Sequence, residues 1–187
     1  YHDLGPQLKS MLKFIKGVQS GRIKDFSLKN FPLEKDIDKN GSIKDAVKSN
    51  QSLLVQIVKE PISTKGPRIS SELSIAGRFL VMVPFSDRVS VSQKIGSKQE
   101  KDRLKRLVQS IKPKGFGVII RTVAEGKKVA ELDKDLENLM SKWISMCKKL
   151  GKARPPSKVL VELNRASSIL RDVFNDTFTG IHVDEET

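Results

Sequence analysis

The chain has 187 residues, of which 37% are hydrophobic and 30% charged, and its formal net charge at pH 7 is +13. This length suits one or two small domains, and the excess of lysine and arginine favours a polyanionic partner, nucleic acid ahead of an anionic membrane. The single cysteine, Cys147, excludes an internal disulfide and a cysteine-rich zinc site, and no apolar run is long enough to span a membrane.

The first fifty residues predict one helix and a long polar loop. Residues 7–19 should form a short amphipathic basic helix, because apolar residues recur at helical spacing among lysines. The apolar positions are Leu8, Leu12, Ile15 and Val18. Residues 22–50 are polar, rich in lysine and broken by Pro32, so we expect a loop that ends in a short helix around 42–48.

An acidic segment in this loop resembles the start of a calcium-binding loop, with Asp36, Asp38 and Asn40 at the first, third and fifth positions. The match fails at the twelfth position, which must supply a bidentate carboxylate and is Val47. A polar turn with Asx hydrogen bonding is therefore the better prediction, and no metal ligands are assigned in the chain.

The middle of the chain has the short apolar runs that are typical of strands. We predict strands at 53–59, 68–75, 79–83 and 88–95, with a turn at 60–67 and a break at Ala76-Gly77. Residues 98–112 carry an apolar stripe among lysines and arginines and should form a helix that ends at Pro113.

The last third of the chain predicts the longest helix and then a strand, a helix and a strand. Apolar residues in 129–150 repeat at alternating spacings of three and four, which suits either a helix that packs on its own sheet or a coiled-coil partner. We favour packing on the chain's own sheet, since three heptads are few. After a connection at 151–156 we expect a strand at 159–163, a helix at 167–174 and a strand at 181–183.

The most informative segment is an apolar strand that ends in Arg121 and Thr122. A strand that delivers a guanidinium and a hydroxyl to its exposed end can build a small anion site, since both groups donate hydrogen bonds to phosphate. The alternative is an ordinary strand end with a solvated arginine.

Two blocks of sequence resemble the ribonuclease E/G family of bacterial endoribonucleases, which act in RNA decay and ribosomal RNA maturation. They are Leu73-Ser-Ile-Ala-Gly77-Arg-Phe-Leu-Val81-Met-Val-Pro84 and Gly117-Val-Ile-Ile-Arg121-Thr122 with Glu-Gly-Lys following. The resemblance covers residues 42–187 well and residues 1–41 poorly. The insert at 7–41 aligns with no part of the family, and its lysines either bind RNA or form a solvated face.

The resemblance implies an α+β fold in three parts. Residues 1–75 would be a partial OB-type β-barrel, an RNA-binding module with a basic helical insert. Residues 76–155 would be a small α+β 5′-sensor domain, which binds the 5′-monophosphate end of RNA. Residues 156–187 would start a ribonuclease-H-like subdomain.

The resemblance also implies the site residues. Arg121 and Thr122 would contact the 5′-phosphate, and Gly77 and Val81 would contact the terminal nucleotide. Lys94 would be an outer cation, in a Gln-Lys pair that stands where the family often has two arginines. Lys65 would lie near the RNA in the OB-type module.

The chain opens at Tyr1 rather than at methionine, so we expect a piece of a longer protein. The resemblance implies that the intact protein is a cytoplasmic homo-oligomer and a magnesium-dependent endoribonuclease, with zinc linking protomers. The aspartates and cysteines that hold these metals would lie beyond Thr187. The chain by itself is therefore expected to hold no cofactor, to bind RNA, above all 5′-monophosphorylated single strands, and to cleave nothing.

One alternative function remains open. A non-catalytic basic module that binds RNA or ribosomes would ignore the 5′ end, and its affinity would fall steeply with salt. A membrane partner is not expected, because aromatic residues are only 5% of the chain.

Overall fold

A computed structural model describes residues 4–38, 40–175 and 177–184 and has a mixed α+β fold. The helices, apart from a 3-10 turn at Thr122–Ala124, are α1 (Leu8–Gln19), α2 (Ile43–Ala46), α3 (Lys98–Ile111), α4 (Val129–Leu150) and α5 (Arg165–Val173). The strands are β1 (Gln56–Lys59), β2 (Arg68–Ser70), β3 (Ile75–Ala76), β4 (Leu80–Pro84), β5 (Val89–Val91) and β6 (Phe116–Ile120).

The strands form two sheets. Strands β1 and β2 make an antiparallel hairpin, and the other four make a sheet in the order β3-β4-β6-β5. Strand β6 is antiparallel to β4 and parallel to β5, so the chain crosses from β5 to β6 through α3. This crossover puts β6, whose end precedes Arg121, between two other strands rather than at the rim of the sheet.

The longest helix, α4, forms the centre of the core. Its apolar stripe is buried against the sheet and against α1 and α3, so the prediction that it packs on its own sheet is confirmed. Trp143 is 1% exposed and stacks on Phe14 of α1 with ring centroids 5.6 Å apart. Its indole Nε1 donates a hydrogen bond of 2.7 Å to the carbonyl of Phe26, which ties the loop after α1 to the core. No helix in the described part of the chain is both long enough and apolar enough to cross a membrane.

The predicted helices are confirmed, and local chemistry explains their ends. Helix α3 begins after Ser97, whose hydroxyl accepts a hydrogen bond from the backbone amide of Glu100, and α5 begins after Asn164, whose side chain accepts from Ser167. The acidic segment near Asp38 is the expected Asx turn, in which the carboxylate accepts a hydrogen bond from the amide of Asn40 at 2.9 Å.

The strand predicted at 68–75 is wrong in one respect, because it is two strands in different sheets. Strand β2 pairs with β1, whereas β3 pairs with β4. Two serines in the segment between β2 and β3 form hydrogen bonds outside both sheets. The hydroxyl of Ser71 accepts from the amide of Gly5 at 2.8 Å, and the amide of Ser74 donates to the side chain of Gln56 at 2.9 Å. The predicted break at Ala76 also begins one residue too early, since this residue belongs to β3.

The strands predicted at 159–163 and 181–183 are wrong, since neither segment is a strand in the described part of the chain. An extended segment becomes a strand only when a neighbour completes its hydrogen bonds. Val159 is buried in the core, but Val161 and Val183 are 74% and 73% exposed. The apolar pattern of these segments is real, and the described residues supply no strand beside them.

Candidate anion-binding site

Arg121 lies where two strands of the central sheet end together. Its backbone amide donates a hydrogen bond of 2.9 Å to the carbonyl of Phe79, so the pairing of β6 with β4 continues one step past Ile120. The backbone is therefore fixed up to Arg121, and its side chain extends over the turn that joins β3 to β4.

The guanidinium of Arg121 already holds an anion. Its Nη1 and Nη2 donate to the two carboxylate oxygens of Asp172 in α5 at 2.8 and 2.7 Å, which is the paired geometry that arginine also adopts with phosphate. Nη1 lies 2.8 Å from the carbonyl oxygen of Gly77 and 3.2 Å from that of Arg78. The hydrogen bonds to Asp172 are the main cause that raises the pKa of Arg121 above its usual value.

Asp172 is held from two sides. Besides Arg121, the neighbouring Arg171 donates from Nε at 2.8 Å and reaches the carbonyl of Ala76 at 3.4 Å. The pKa of Asp172 lies well below its usual range, with the hydrogen bond from Arg121 as the largest cause. A further hydrogen bond, from the guanidinium of Arg78 to the carbonyl of Phe174, completes the docking of α5 on this turn.

A buried carboxylate of α4 shapes the turn from below. Asp135 is 9% exposed and accepts hydrogen bonds from the backbone amides of Arg78, Phe79 and Leu80 at 3.1, 2.8 and 2.9 Å. A Cβ atom on Gly77 would lie 2.5 Å from an oxygen of this carboxylate, so only glycine fits. The amides are thus bound to Asp135, while the carbonyls of residues 77 and 78 accept from Arg121.

Two hydroxyl groups lie beside the arginine. Thr122 is exposed, and its Oγ1 is 3.0 Å from the Oγ of Ser92, so either hydroxyl can donate to the other. The backbone of Ser92 is fixed by a 2.9 Å hydrogen bond to the carbonyl of Ile120. The amide of Lys94 donates to the same Ser92 hydroxyl at 3.3 Å, and the ammonium group of this lysine has no hydrogen-bond partner among the described residues.

A row of cross-strand neighbours runs across the sheet close to Arg121. Val81 is paired with Ala76 on one side and with Ile119 on the other, and Ile119 is paired with Ser90 of β5. Val81 is half-buried and Ile119 is 43% exposed. The row offers an apolar surface beside the hydrogen-bonding groups.

The loop after Thr122 is fastened to the start of α3. Glu100 and Arg103 form a two-bonded ion pair with both distances at 2.6 Å. Glu100 also accepts from the amide of Gly126 at 2.8 Å, and Arg103 donates to the carbonyl of Lys127 at 3.1 Å. The hydrogen bond from Arg103, followed by that from Gly126, lowers the pKa of Glu100 from 4.5 to about 2.

This loop contact is expected to make the chain sensitive to acid. Because the pKa of Glu100 is lower in the folded state, its stabilising effect is complete above about pH 4.5 and is lost as the pH falls towards 2. In thermal melts, wild type should exceed the Glu100→Gln variant in stability at pH 7, and the gap should shrink below about pH 4.5 and close as the pH falls through about 2. A gap that stays constant across this range would show that the charge of Glu100 is not what holds the loop.

The structure brings some of the predicted site residues together and leaves others apart. The guanidinium of Arg121 donates to the carbonyl of Gly77, Thr122 is the next residue in the chain, and Val81 is paired with Ile119, two residues before Arg121. Among the described residues, Lys94 is connected to the group through Ser92 alone. Lys65 lies in the turn of the β1–β2 hairpin, on the other sheet, and no hydrogen bond of the described residues joins it to Arg121.

Two acidic residues of the site were not predicted. Asp135 left a sequence signal, because a carboxylate stands on the buried stripe of α4 between Leu132 and Leu139, where an unpaired charge would be costly. Asp172 left none, because its partner Arg121 is 51 residues away along the chain.

The described residues do not fit a metal. They contain no group of three or more histidine, cysteine, aspartate or glutamate side chains that could hold an ion. Burial raises the pKa of the Cys147 thiol to about 12, so it is a core residue rather than a ligand or a nucleophile. Neither magnesium nor zinc can be assigned a place among these side chains.

Comparisons with a family model and with known proteins all point to one family. Residues 74–187 match the model of the ribonuclease E/G family. The chain is 34% identical over 146 residues to ribonuclease E of Nostoc sp., 37% over 145 residues to ribonuclease G of Haemophilus influenzae, and 36% over 142 residues to ribonuclease G of Escherichia coli K12. These matches cover 78%, 78% and 76% of the chain but only 21%, 30% and 29% of the three relatives.

Proposed function

The chain belongs to the ribonuclease E/G family, and from this premise we propose that it is the RNA-end-binding part of a cytoplasmic endoribonuclease of RNA decay and ribosomal RNA processing. Its ligand is the 5′-monophosphate end of single-stranded RNA. The observation that carries the proposal is the bidentate hydrogen bonding of Arg121, at the end of β6, to the carboxylate of Asp172. In this proposal residues 1–75 end an OB-type module, 76–155 are the 5′-sensor and 156–187 start a ribonuclease-H-like subdomain.

Binding of the phosphate takes the place of the Asp172 carboxylate. Two phosphate oxygens accept from the guanidinium of Arg121, and the hydroxyl of Thr122 donates to the same group. The terminal nucleotide lies against Val81 and Ile119, which are paired across β4 and β6 and form an apolar surface beside Arg121. Lys94 adds a cation at the outer edge, and Lys65 contacts the strand farther along.

Negative groups behind the arginine favour a monophosphate over a triphosphate. The carbonyl oxygens of residues 77 and 78 point at Arg121, and the buried carboxylate of Asp135 lies beneath the same turn. One phosphate finds enough donors to offset this negative potential. A second and third phosphate would bring more negative charge close to it than Lys94, at the outer edge, can offset.

The experiment compares three oligomers of one sequence that end in a 5′-monophosphate, a 5′-hydroxyl or a 5′-triphosphate. Fluorescence anisotropy at fixed salt should show about tenfold tighter binding of the monophosphate than of the hydroxyl form, since one charge-assisted pair contributes about 1.5–3 kcal/mol. Equal affinities would refute 5′-end recognition and favour the non-specific basic module.

Neutralising Asp172 is expected to strengthen binding of the phosphorylated end. The Asp172→Asn variant keeps the shape of the side chain but removes the charge that competes for Arg121, so affinity for the monophosphate should rise about tenfold. Affinity for the 5′-hydroxyl oligomer, measured by the same anisotropy titration, should rise far less.

The matched control for this variant is Asp133→Asn, which removes the same charge from an exposed position of α4. It should alter both oligomers equally and only slightly. If Asp172→Asn weakens binding of the monophosphate, α5 supports the pocket instead of occupying it.

Cleavage is not assigned to the described residues, because they do not fit a magnesium or zinc ion. Metal-dependent hydrolysis and assembly into a homo-oligomer belong to the proposal for the whole enzyme, since this chain spans under a third of the matched relatives. By itself the chain is expected to bind RNA without cutting it when magnesium is added.

A further inference from the structure

We propose that the chain has a second site for single-stranded RNA, in the cleft between α1 and the loop formed by residues 20–32. This cleft lies outside residues 74–187, the part that matches the family. The choice of RNA as its occupant rests on the proposed function, whereas the shape and charge of the cleft are independent of it.

The cleft is large and is lined by both apolar and basic side chains. Its volume is about 950 Å³, near the upper end of the range of about 300–1,000 Å³ found for small-molecule pockets. Ile23 and Phe31, both partly exposed, lie among its apolar lining residues. Lys16, Arg22 and Lys24 are exposed cations of the same lining. A site for single-stranded RNA needs cations that neutralise the phosphates and apolar side chains that contact the bases. The cleft has both.

The exposed cations that line the cleft are available to a ligand. Among the described residues, Lys16, Arg22 and Lys24 form no ion pair, whereas Lys13 is paired with Glu34. Asp25 is the one acidic residue among the described residues of the lining. Its carboxylate accepts hydrogen bonds from the amide and hydroxyl of Ser27, both at 2.9 Å. The cleft therefore presents a positive potential that its own acidic residue offsets only in part.

The loop is held in place before any ligand arrives. The indole of Trp143 donates to the carbonyl of Phe26, and the amide of Ile23 donates to the carbonyl of Gly17 at 3.0 Å. A Cβ atom on Gly17 would overlap the Ile23 side chain, so the glycine permits this close approach.

Backbone strain marks the same loop. Leu28 is buried at a φ of 58°, in the left-handed region that a branched aliphatic residue rarely adopts, and it packs where a Cβ on Gly115 would come within 2.8 Å. Strained and fixed backbone is more typical of a binding element than of a solvated lysine-rich loop.

The shape favours RNA over an anionic membrane. Membrane-binding segments project apolar side chains outward from a charged surface. In the cleft the apolar residues are the less exposed ones, because Leu28 is buried and Phe31 is only partly exposed, whereas Lys16 and Lys24 are exposed.

The test uses a 5′-hydroxyl oligomer, which lacks the group that the Arg121 site binds. The double variant Lys16→Gln, Lys24→Gln is compared with Lys105→Gln, Lys134→Gln, which removes two exposed lysines from α3 and α4. Cleft binding predicts about tenfold weaker affinity for the first variant at about 0.1 M salt, and a salt slope that is smaller by about 0.7 for each phosphate that the variant no longer neutralises. The second variant should change both quantities far less.

If the two double variants lose affinity for the oligomer equally, the proposal of an RNA site in the cleft is wrong, because such a result shows that only the net charge matters. The ratio of monophosphate to hydroxyl affinity should be the same in the cleft variant and in wild type. If wild type binds the monophosphate and hydroxyl oligomers equally, the 5′-end proposal is refuted, but the proposal of RNA binding in the cleft is unaffected. The two failures are therefore distinguishable.

A second measurement protects the test against misfolding. Photo-crosslinking of a 4-thiouridine oligomer to wild-type protein should give adducts on peptides that contain residues 16–31, and adducts confined to other peptides would overturn the proposal. Sedimentation with vesicles of phosphatidylserine and phosphatidylcholine gives the remaining outcome. If the cleft variant loses vesicle binding but retains RNA binding, the occupant is a membrane surface and the RNA proposal is wrong.

Discussion

Replacing Arg121 by alanine is expected to weaken binding of a 5′-monophosphorylated oligomer by about tenfold or more and to leave the 5′-hydroxyl form nearly unchanged. The reason is that the guanidinium supplies the two parallel donors, and a charge-assisted bond contributes about 1.5–3 kcal/mol. The measurement is the ratio of the two affinities in wild type and variant, taken by anisotropy at one salt concentration.

Two companion variants show whether the effect is specific. Thr122→Val keeps the shape and removes one hydroxyl, so its loss of affinity should be smaller than that of Arg121→Ala. Arg88→Ala removes a cation from an exposed position just before β5 and should weaken both oligomers alike and slightly. If Arg121→Ala also weakens both oligomers equally, the phosphate binds elsewhere.

Asp135→Ala is expected to cause a large loss of stability. It leaves the backbone amides of residues 78–80 without their acceptor in a mostly buried turn, and each unsatisfied buried donor costs about 1–3 kcal/mol. We expect a total loss of about 3–5 kcal/mol in the free energy of unfolding, measured by urea titration. Asp133→Ala, at an exposed position of the same helix, should change this free energy by about 0.5 kcal/mol or less.

Gly77→Ala tests the same contact from the other side. The added methyl group would lie 2.5 Å from the Asp135 carboxylate, so this variant should also be strongly destabilised. In the double variant Gly77→Ala, Asp135→Ala the steric conflict is gone, and the combined loss should be clearly smaller than the sum of the single losses. Additive losses would mean that the glycine is required for a reason other than the carboxylate.

Local patterns were sufficient to predict most elements of the fold. The stripes of α3 and α4 and the apolar run of β6 each lie within a few neighbouring residues, so periodicity identifies them. The position of Arg121 at a strand end follows from the same local pattern.

Contacts between distant segments could not be predicted in this way. The division of 68–75 between two sheets depends on hydrogen bonds with Gly5 and Gln56, and the segments at 159–163 and 181–183 have a strand pattern without a neighbouring strand among the described residues. At the site, the occupation of Arg121 by Asp172 depends on where α5 docks. No spacing rule relates two residues that meet only through tertiary structure.

The position of Trp143 gives the chain a built-in optical reporter. It is the only tryptophan of the sequence, and it is enclosed by Phe14 of α1, Phe85 after β4 and Phe116 of β6 at centroid distances of 5.6, 6.0 and 5.6 Å. Its emission therefore comes from one buried, hydrogen-bonded indole at the junction of helix, sheet and basic loop. A shift of that emission to longer wavelength would signal that α1 and its loop have separated from the sheet, without any attached dye.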